Sequence, residues 1–190
     1  DAIHENQVQW YKDTIAALTE ENDGETPKSL AFFHIPLAEE QEMYNEWEDA
    51  GEQNTENITY YYGKIAESNN IICASKHNNG MFDAFVDSGS TQGIFFGHDH
   101  LNNLSASYKG LRMTYSYSID YLAYNGIYKF GLQRGCTVIN IQPDGSFDCH
   151  GENYYQDKYQ AVNGKEEVDL EHEMSEMDDS AGQVLPGQGQ

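Results

Sequence analysis

Two short apolar runs, each ending in a histidine, constrain the fold of this chain more than any other feature. The first is "SLAFFHIPL" (29–37), which stops at Pro36, and the second is "GIFFGHDH" (93–100). Compact apolar runs bounded by glycine or proline are typical of buried strands that continue into loops. The sequence therefore predicts two buried strands whose ends present histidines to solvent.

The remaining elements follow from periodicity and from turn residues. We expect helices where apolar residues recur at helical spacing or where acidic, helix-permissive residues dominate: the opening segment with Val8, Tyr11, Ile15 and Leu18, residues 39–57, and one or two helices within 58–88. We expect strands in the second half, at "LRMTYSYS", "CTVINI" and "SFDCH", with "PDG" (143–145) forming a hairpin turn. This mixture predicts an α+β or layered α/β/α architecture.

Composition excludes some classes of function. The chain has 190 residues and a formal net charge of −22. Phosphate backbones select basic surfaces, so we expect no nucleic-acid partner. We find no apolar stretch long enough to cross a bilayer and no basic-then-apolar leader, so we expect no membrane partner. The sequence indicates a soluble chain, and it leaves secreted and cytoplasmic locations both open.

Composition also divides the chain into two parts. We expect one folded domain over residues 1–163 and an acidic, flexible tail over residues 164–190, which ends in glycine, glutamine and proline.

A disulfide between Cys136 and Cys149 is conceivable across a hairpin. Free thiols are the favoured alternative, because the three cysteines form no CxxC pattern.

The segment His98-Asp99-His100 has the spacing of a metal site. Residues two apart on an extended backbone point to the same side, so both imidazoles could bind one ion or two neighbouring ions. Asp99 would point away and is better placed to orient the loop, while Gly97 allows a sharp turn. A solvent-exposed turn with incidental histidines explains this motif alone equally well.

His34 favours the metal site over the incidental turn, because it also ends a buried apolar run and is followed by Ile35-Pro36. Ligands in layered folds gather where strands end and loops begin. A strand-end His-x-Pro followed by a strand-end Gly-His-x-His therefore favours one shared cleft.

In these motifs the chain resembles the calcineurin-like metallophosphoesterases, and within them the Dcr2-related branch of purple-acid-phosphatase-like proteins. The similar segments keep the order of that branch over about residues 1–142: "QVQW", "FFHIPL", "GHDHLN", "YKGLRMTYSYS" and "RGCTVINI". The resemblance implies the C-terminal half of a metallophosphoesterase β-sandwich flanked by helices.

The resemblance also implies roles for individual residues. His34 and His98 would bind one metal ion and His100 a second, the ions being iron, manganese or zinc. Neighbouring residues would support the ligands or form a loop near the substrate: Asp99, Asn102, Asn79 and Gly80.

The earlier motifs of the superfamily, which supply its aspartate and asparagine ligands and its general-acid histidine, do not occur in this sequence. We therefore expect no catalytic general acid within this chain and a partner in the N-terminal half of the domain. The first hypothesis is a two-metal phosphoester hydrolase, a phosphomonoesterase before a phosphodiesterase, inactive as this chain alone. The second is a non-catalytic half-domain that acts as an interaction or regulatory module.

Overall fold

The computed structural model describes residues 2–119 and 135–153. Within these residues, helices and strands alternate in the first half and strands dominate the second. In chain order the elements are α1 (Glu5–Glu21), β1 (Ser29–Phe32), α2 (Ala38–Asp49), β2 (Ile58–Tyr62), a 3₁₀ turn (Ser68–Asn70), α3 (Met81–Ser88), β3 (Thr91–Phe96), β4 (Ser105–Tyr108), β5 (Leu111–Tyr115), β6 (Gly135–Ile141) and β7 (Phe147–Asn153).

Five strands form one mixed sheet in the order β1-β3-β5-β4-β2. Strands β1 and β5 both pair with β3 in parallel, whereas β4 pairs antiparallel with β5 and with β2. Parallel neighbours end at the same edge of a sheet. The loops that follow β1 and β3 therefore lie side by side, which determines the position of the candidate site.

Aromatic residues on both faces of β3 hold the layers together. Phe96 packs on Phe33, which also stacks on Phe85 of α3. On the opposite face, Phe95 contacts Phe147 of the β6–β7 hairpin. This alternation is that of a strand buried on both sides, because successive side chains point to opposite faces.

Gly93 makes the packing of the hairpin possible. A Cβ atom at this position would lie 2.5 Å from Cζ of Phe147, closer than two carbon atoms can approach. The absence of a side chain therefore lets the Phe147 ring lie directly on β3.

The α+β class predicted from the sequence is confirmed, and the sheet is consistent with the C-terminal half of a metallophosphoesterase domain. The opening helix, the strands at both apolar runs and the hairpin turn at 143–145 are also confirmed. The burial predicted for the first strand is wrong, because no residue of β1 is fully buried and Phe32 is 64% exposed. The predicted tail over 164–190 lies outside the described residues. Within the described residues, no helix is long and apolar enough to span a membrane.

Two further details of the prediction are wrong. Residues 58–62 form an antiparallel strand rather than a helix, because "ITYYY" is rich in β-branched and aromatic residues. Leu18 is 42% exposed and does not continue the buried stripe of α1.

The favoured prediction for the cysteines is confirmed, because Cys136 and Cys149 are free thiols. Across the β6–β7 hairpin, Cys136 lies opposite Glu152 and Cys149 lies opposite Ile139.

Candidate functional site

The two histidine-bearing turns meet at the edge of the sheet. Nδ1 of His98 lies 3.3 Å from Nε2 of His34, and the two rings meet edge to face with their centroids 5.1 Å apart. The backbone N–H of Gly97 donates to the carbonyl of His34 over 3.0 Å and joins the turns directly. The parallel pairing of β1 and β3 thus brings together two residues that lie 64 positions apart in the chain.

His98 has a strained backbone. Its φ angle is +73°, and the N–H of Asp99 donates to the carbonyl of Gly97 over 2.9 Å, so His98 is the central residue of a γ-turn with positive φ. Such turns are rare, and an L-residue in this region costs about 1–3 kcal/mol. The surrounding contacts must offset this cost, and the turn directs the imidazole of His98 toward His34.

The spacing of the two ring nitrogens suits one metal ion. Two nitrogens that each lie about 2.0–2.1 Å from a tetrahedral ion would be about 3.3 Å apart, which matches the observed distance. The same distance also suits a hydrogen bond between the rings. The pair is thus compatible with both the metal-bound and the metal-free state.

His100 lines the same cleft as His34 and His98, together with Tyr117 and Ile119. Among residues 2–119 and 135–153, no three histidine, cysteine, aspartate or glutamate side chains converge on a single point. The arrangement brings His34 and His98 together as a pair and leaves His100 beside them.

Asp99 borders the cleft, but its carboxylate lies beneath the turn. Its side chain is buried, and Oδ2 accepts hydrogen bonds from the hydroxyl of Tyr115 and from the backbone N–H of Cys73. Hydrogen bonds to a carboxylate are stronger than those between neutral groups. These two bonds connect the strained turn to β5 and to the loop that follows the 3₁₀ turn.

Asn102 and Asn103 also point inward. Oδ1 of Asn102 accepts from the backbone N–H groups of Ala66 and Glu67, and Oδ1 of Asn103 accepts from that of Lys64. Both amides therefore connect the histidine loop to residues 64–67. The structure places Asn102 in a supporting position and gives it no contact with the cleft.

Asn79 and Gly80 lie at the start of α3. Nδ2 of Asn79 donates to the carbonyl of Ile3 over 2.8 Å. Gly80 has φ +77° and precedes the helix as its N-cap, a conformation that glycine adopts without strain. Asn79 borders a cavity beside His34, so this loop lies near the site.

Two residues that the sequence analysis did not single out complete the buried network. Glu40 of α2 is 0% exposed, and neither of its carboxylate oxygens has a hydrogen-bond partner within the described residues. Burial and the nearby charge of Asp99 raise its pKa from 4.5 to about 8. Burial and the same neighbour raise the pKa of Tyr115 far above its usual range. No sequence signal distinguishes Glu40 from Glu39 and Glu42 in the same acidic helix.

An α+β sheet with histidines gathered beyond its parallel strands is consistent with the class of metallophosphoesterases. Comparison with known proteins supports that superfamily. Over 122 residues, 64% of the chain, it is 30% identical to a protein of Arabidopsis thaliana named probable inactive purple acid phosphatase 28. It is also 27% identical over 148 residues to probable inactive purple acid phosphatase 14, and 28% identical over 148 residues to probable inactive purple acid phosphatase 29, both of Arabidopsis thaliana.

These matches are distant and partial. They cover 75% and 74% of this chain for the second and third relatives, but the chain spans only 27% to 33% of the length of the three proteins. No family model matches the chain, and no solved structure matches it. The relatives are of the purple-acid-phosphatase type, and each carries the word inactive in its name.

Proposed function

We propose that this chain supplies the C-terminal metal-binding part of a two-metal phosphoester hydrolase, a phosphomonoesterase of the Dcr2-related branch. The observation that carries the proposal is the contact between His34 and His98 at the ends of two parallel strands. The purple-acid-phosphatase-like relatives support the same superfamily.

In this proposal His34 and His98 hold one ion and His100 holds the second. Iron, manganese and zinc all accept imidazole ligands, so the chain leaves these three metals as candidates. When bound, the ions would supply Lewis-acid polarisation of the phosphoryl group and activation of the attacking water. The residues of this chain orient the two imidazoles through the strained turn and the buried Asp99.

The proposed partner is the N-terminal half of the same domain. Two cations held close together repel, and anionic ligands offset that repulsion where imidazoles cannot. The one carboxylate within the histidine motif, Asp99, accepts hydrogen bonds from Tyr115 and Cys73 inside the protein. The bridging and terminal carboxylates would therefore come from the N-terminal half, together with the general acid.

The alternative is a metal-binding or interaction module without turnover. The names of all three relatives favour it, since each is called probable inactive. A chain that keeps the histidine pair but lacks its carboxylate partners would bind metal weakly and would not hydrolyse phosphoesters.

The test uses the full-length protein and a His98→Ala variant with p-nitrophenyl phosphate and Mn²⁺, Zn²⁺ or iron. We expect the variant to lose bound metal and at least about a hundredfold in kcat/KM, because even the outer-shell partners of metal ligands typically cost about 10–100-fold when mutated. His150→Ala is the matched control, because the His150 side chain is exposed on β7, where its Nε2 lies 3.2 Å from Glu152. Equal metal content and turnover in the wild type and His98→Ala would refute the metal assignment. Retained metal without turnover in the wild type would establish the alternative.

A further inference from the structure

A cavity of about 220 Å³ borders His34. It is lined by residues of the His-x-Pro turn, the first turn of α2 and the loop before α3. His34 lines both the cavity and the cleft. Because His34 borders both, a molecule bound at this imidazole lies next to the cavity as well as the cleft.

The walls of the cavity are mostly apolar. Its apolar side chains come from the start of the chain, from the His-x-Pro turn and from α3: Ile3, Phe33, Ile35, Leu37 and Met81. Such a surface binds hydrocarbon by removing it from water and offers no counter-charge to an ionic group.

One edge of the cavity is polar and acidic. Nδ2 of Asn78 donates to Oε1 of Glu39 over 2.6 Å, and Glu39 is largely buried. His77 lines the same edge and is exposed. A carboxylate here repels a second phosphate group, and it can accept a hydrogen bond from a hydroxyl group.

The volume limits the size of the occupant. An apolar cavity of about 150 Å³ accommodates a benzene molecule. A cavity of 220 Å³ therefore has room for one six-membered ring with a small substituent.

We propose, resting on the function proposed above, that this cavity binds the alcohol portion of a phosphomonoester whose phosphate lies at His34 and His98. The favoured substrate class is the monophosphate ester of a small, uncharged ring alcohol. Polyphosphates and multiply phosphorylated substrates are disfavoured, because Glu39 and the net charge of −22 oppose additional negative charge.

The test measures binding of three probes to the full-length protein by saturation-transfer NMR and calorimetry: inorganic phosphate, phenyl phosphate and phenol. We expect phenyl phosphate to bind at least about tenfold more tightly than inorganic phosphate, since the ring leaves water. Ala38 lines the cavity at the start of α2, so a phenylalanine side chain at this position should fill it. We therefore expect Ala38→Phe to abolish the difference in affinity between phenyl phosphate and inorganic phosphate, and to abolish saturation transfer to phenol. Binding of inorganic phosphate should be unchanged.

Ala50→Phe is the matched control, because Ala50 is exposed at the opposite end of the same helix. Ala38→Leu gives a smaller filling of the cavity should the phenylalanine variant fail to fold, which far-UV circular dichroism reports. Equal affinities of the wild type for phenyl phosphate and inorganic phosphate, or phenol binding that Ala38→Phe leaves intact, would overturn the cavity assignment. If inorganic phosphate does not bind but phenol does, the result counts against the proposed phosphatase site and still supports the cavity as a binding site for the ring.

Discussion

Replacing the buried Glu40 with glutamine tests the network beneath the histidine turn. The folded protein retains the Glu40 proton up to about pH 8, whereas an unfolded chain releases it near pH 4.5. Between these values the folded state binds more protons, so the free energy of unfolding must fall as the pH rises. Below pH 4.5 both states are protonated, and this contribution is fully present.

The magnitude follows from the same two values. At about 1.4 kcal/mol per pKa unit, the rise from 4.5 to about 8 corresponds to a loss of about 5 kcal/mol between those pH values. This is a large share of the roughly 5–15 kcal/mol by which domains are stable. Glutamine is neutral at every pH and nearly equal in size to the protonated acid. We therefore expect Glu40→Gln to match the wild type near pH 4.5 and to exceed its stability by several kcal/mol at pH 8.

Urea unfolding of the full-length protein, followed by far-UV circular dichroism at four values between pH 4.5 and 8.5, measures this difference. Glu42→Gln is the control, because Glu42 is exposed on the same helix and should follow the wild-type profile. Subtracting the wild-type profile from that of Glu40→Gln cancels the pH dependence that the two proteins share. A constant difference between Glu40→Gln and the wild type across the range would refute the assignment of a neutral, buried Glu40.

Two further substitutions test neighbouring parts of the structure by the same unfolding measurement. Tyr115→Phe removes the hydroxyl that donates to the buried carboxylate beneath the turn, and we expect a loss of about 1.5–3 kcal/mol; Tyr61→Phe, at an exposed hydroxyl, should change stability by less than about 0.5 kcal/mol. Gly63→Ala would place a Cβ atom 2.0 Å from the carbonyl oxygen of Asn103 at φ +87°, and we expect a loss above about 2 kcal/mol. Gly24→Ala, at φ +88° in open space, should cost only about 1 kcal/mol, and equal losses in the two glycine variants would contradict the steric explanation.

The proximity of His34 and His98 could be predicted because each residue ends an apolar run. Such runs form strands, and ligands in layered folds gather where strands end and loops begin, so two strand-end histidines favour one shared cleft. The strained φ of His98 and the hydrogen bonds of Asp99 could not be predicted. They depend on Cys73 and Tyr115, which lie in other elements and carry no local pattern.

Strand β4 shows a different limit of sequence reasoning. "SASY" has only a short alternation, with Ala106 and Tyr108 as its apolar positions, yet the polar Ser105 is completely buried as well. Ser105 is accommodated because its hydroxyl shares a hydrogen bond with Thr114 and accepts one from Nε of Arg112. Buried polar side chains whose hydrogen-bond partners lie inside the protein give the sequence no hydrophobic pattern. Strand β4 can therefore be recognised only once its partner residues are known.

The strained turn at His98 would favour the binding of a metal ion, but it does not provide what the hydrolysis of a phosphoester needs. A loop without a ligand could relax to negative φ and gain about 1–3 kcal/mol. Here the buried Asp99 holds the strained form through Tyr115 and Cys73, so the imidazole faces His34 before any ion arrives. Such preorganisation reduces the ordering cost of binding, and it needs no carboxylate from another part of the domain. Hydrolysis by a two-ion mechanism does need those carboxylates, because they offset the repulsion between the ions. This chain therefore presents two preorganised imidazoles for the one-ion site proposed above, and the proposed hydrolysis needs further ligands from the rest of the domain.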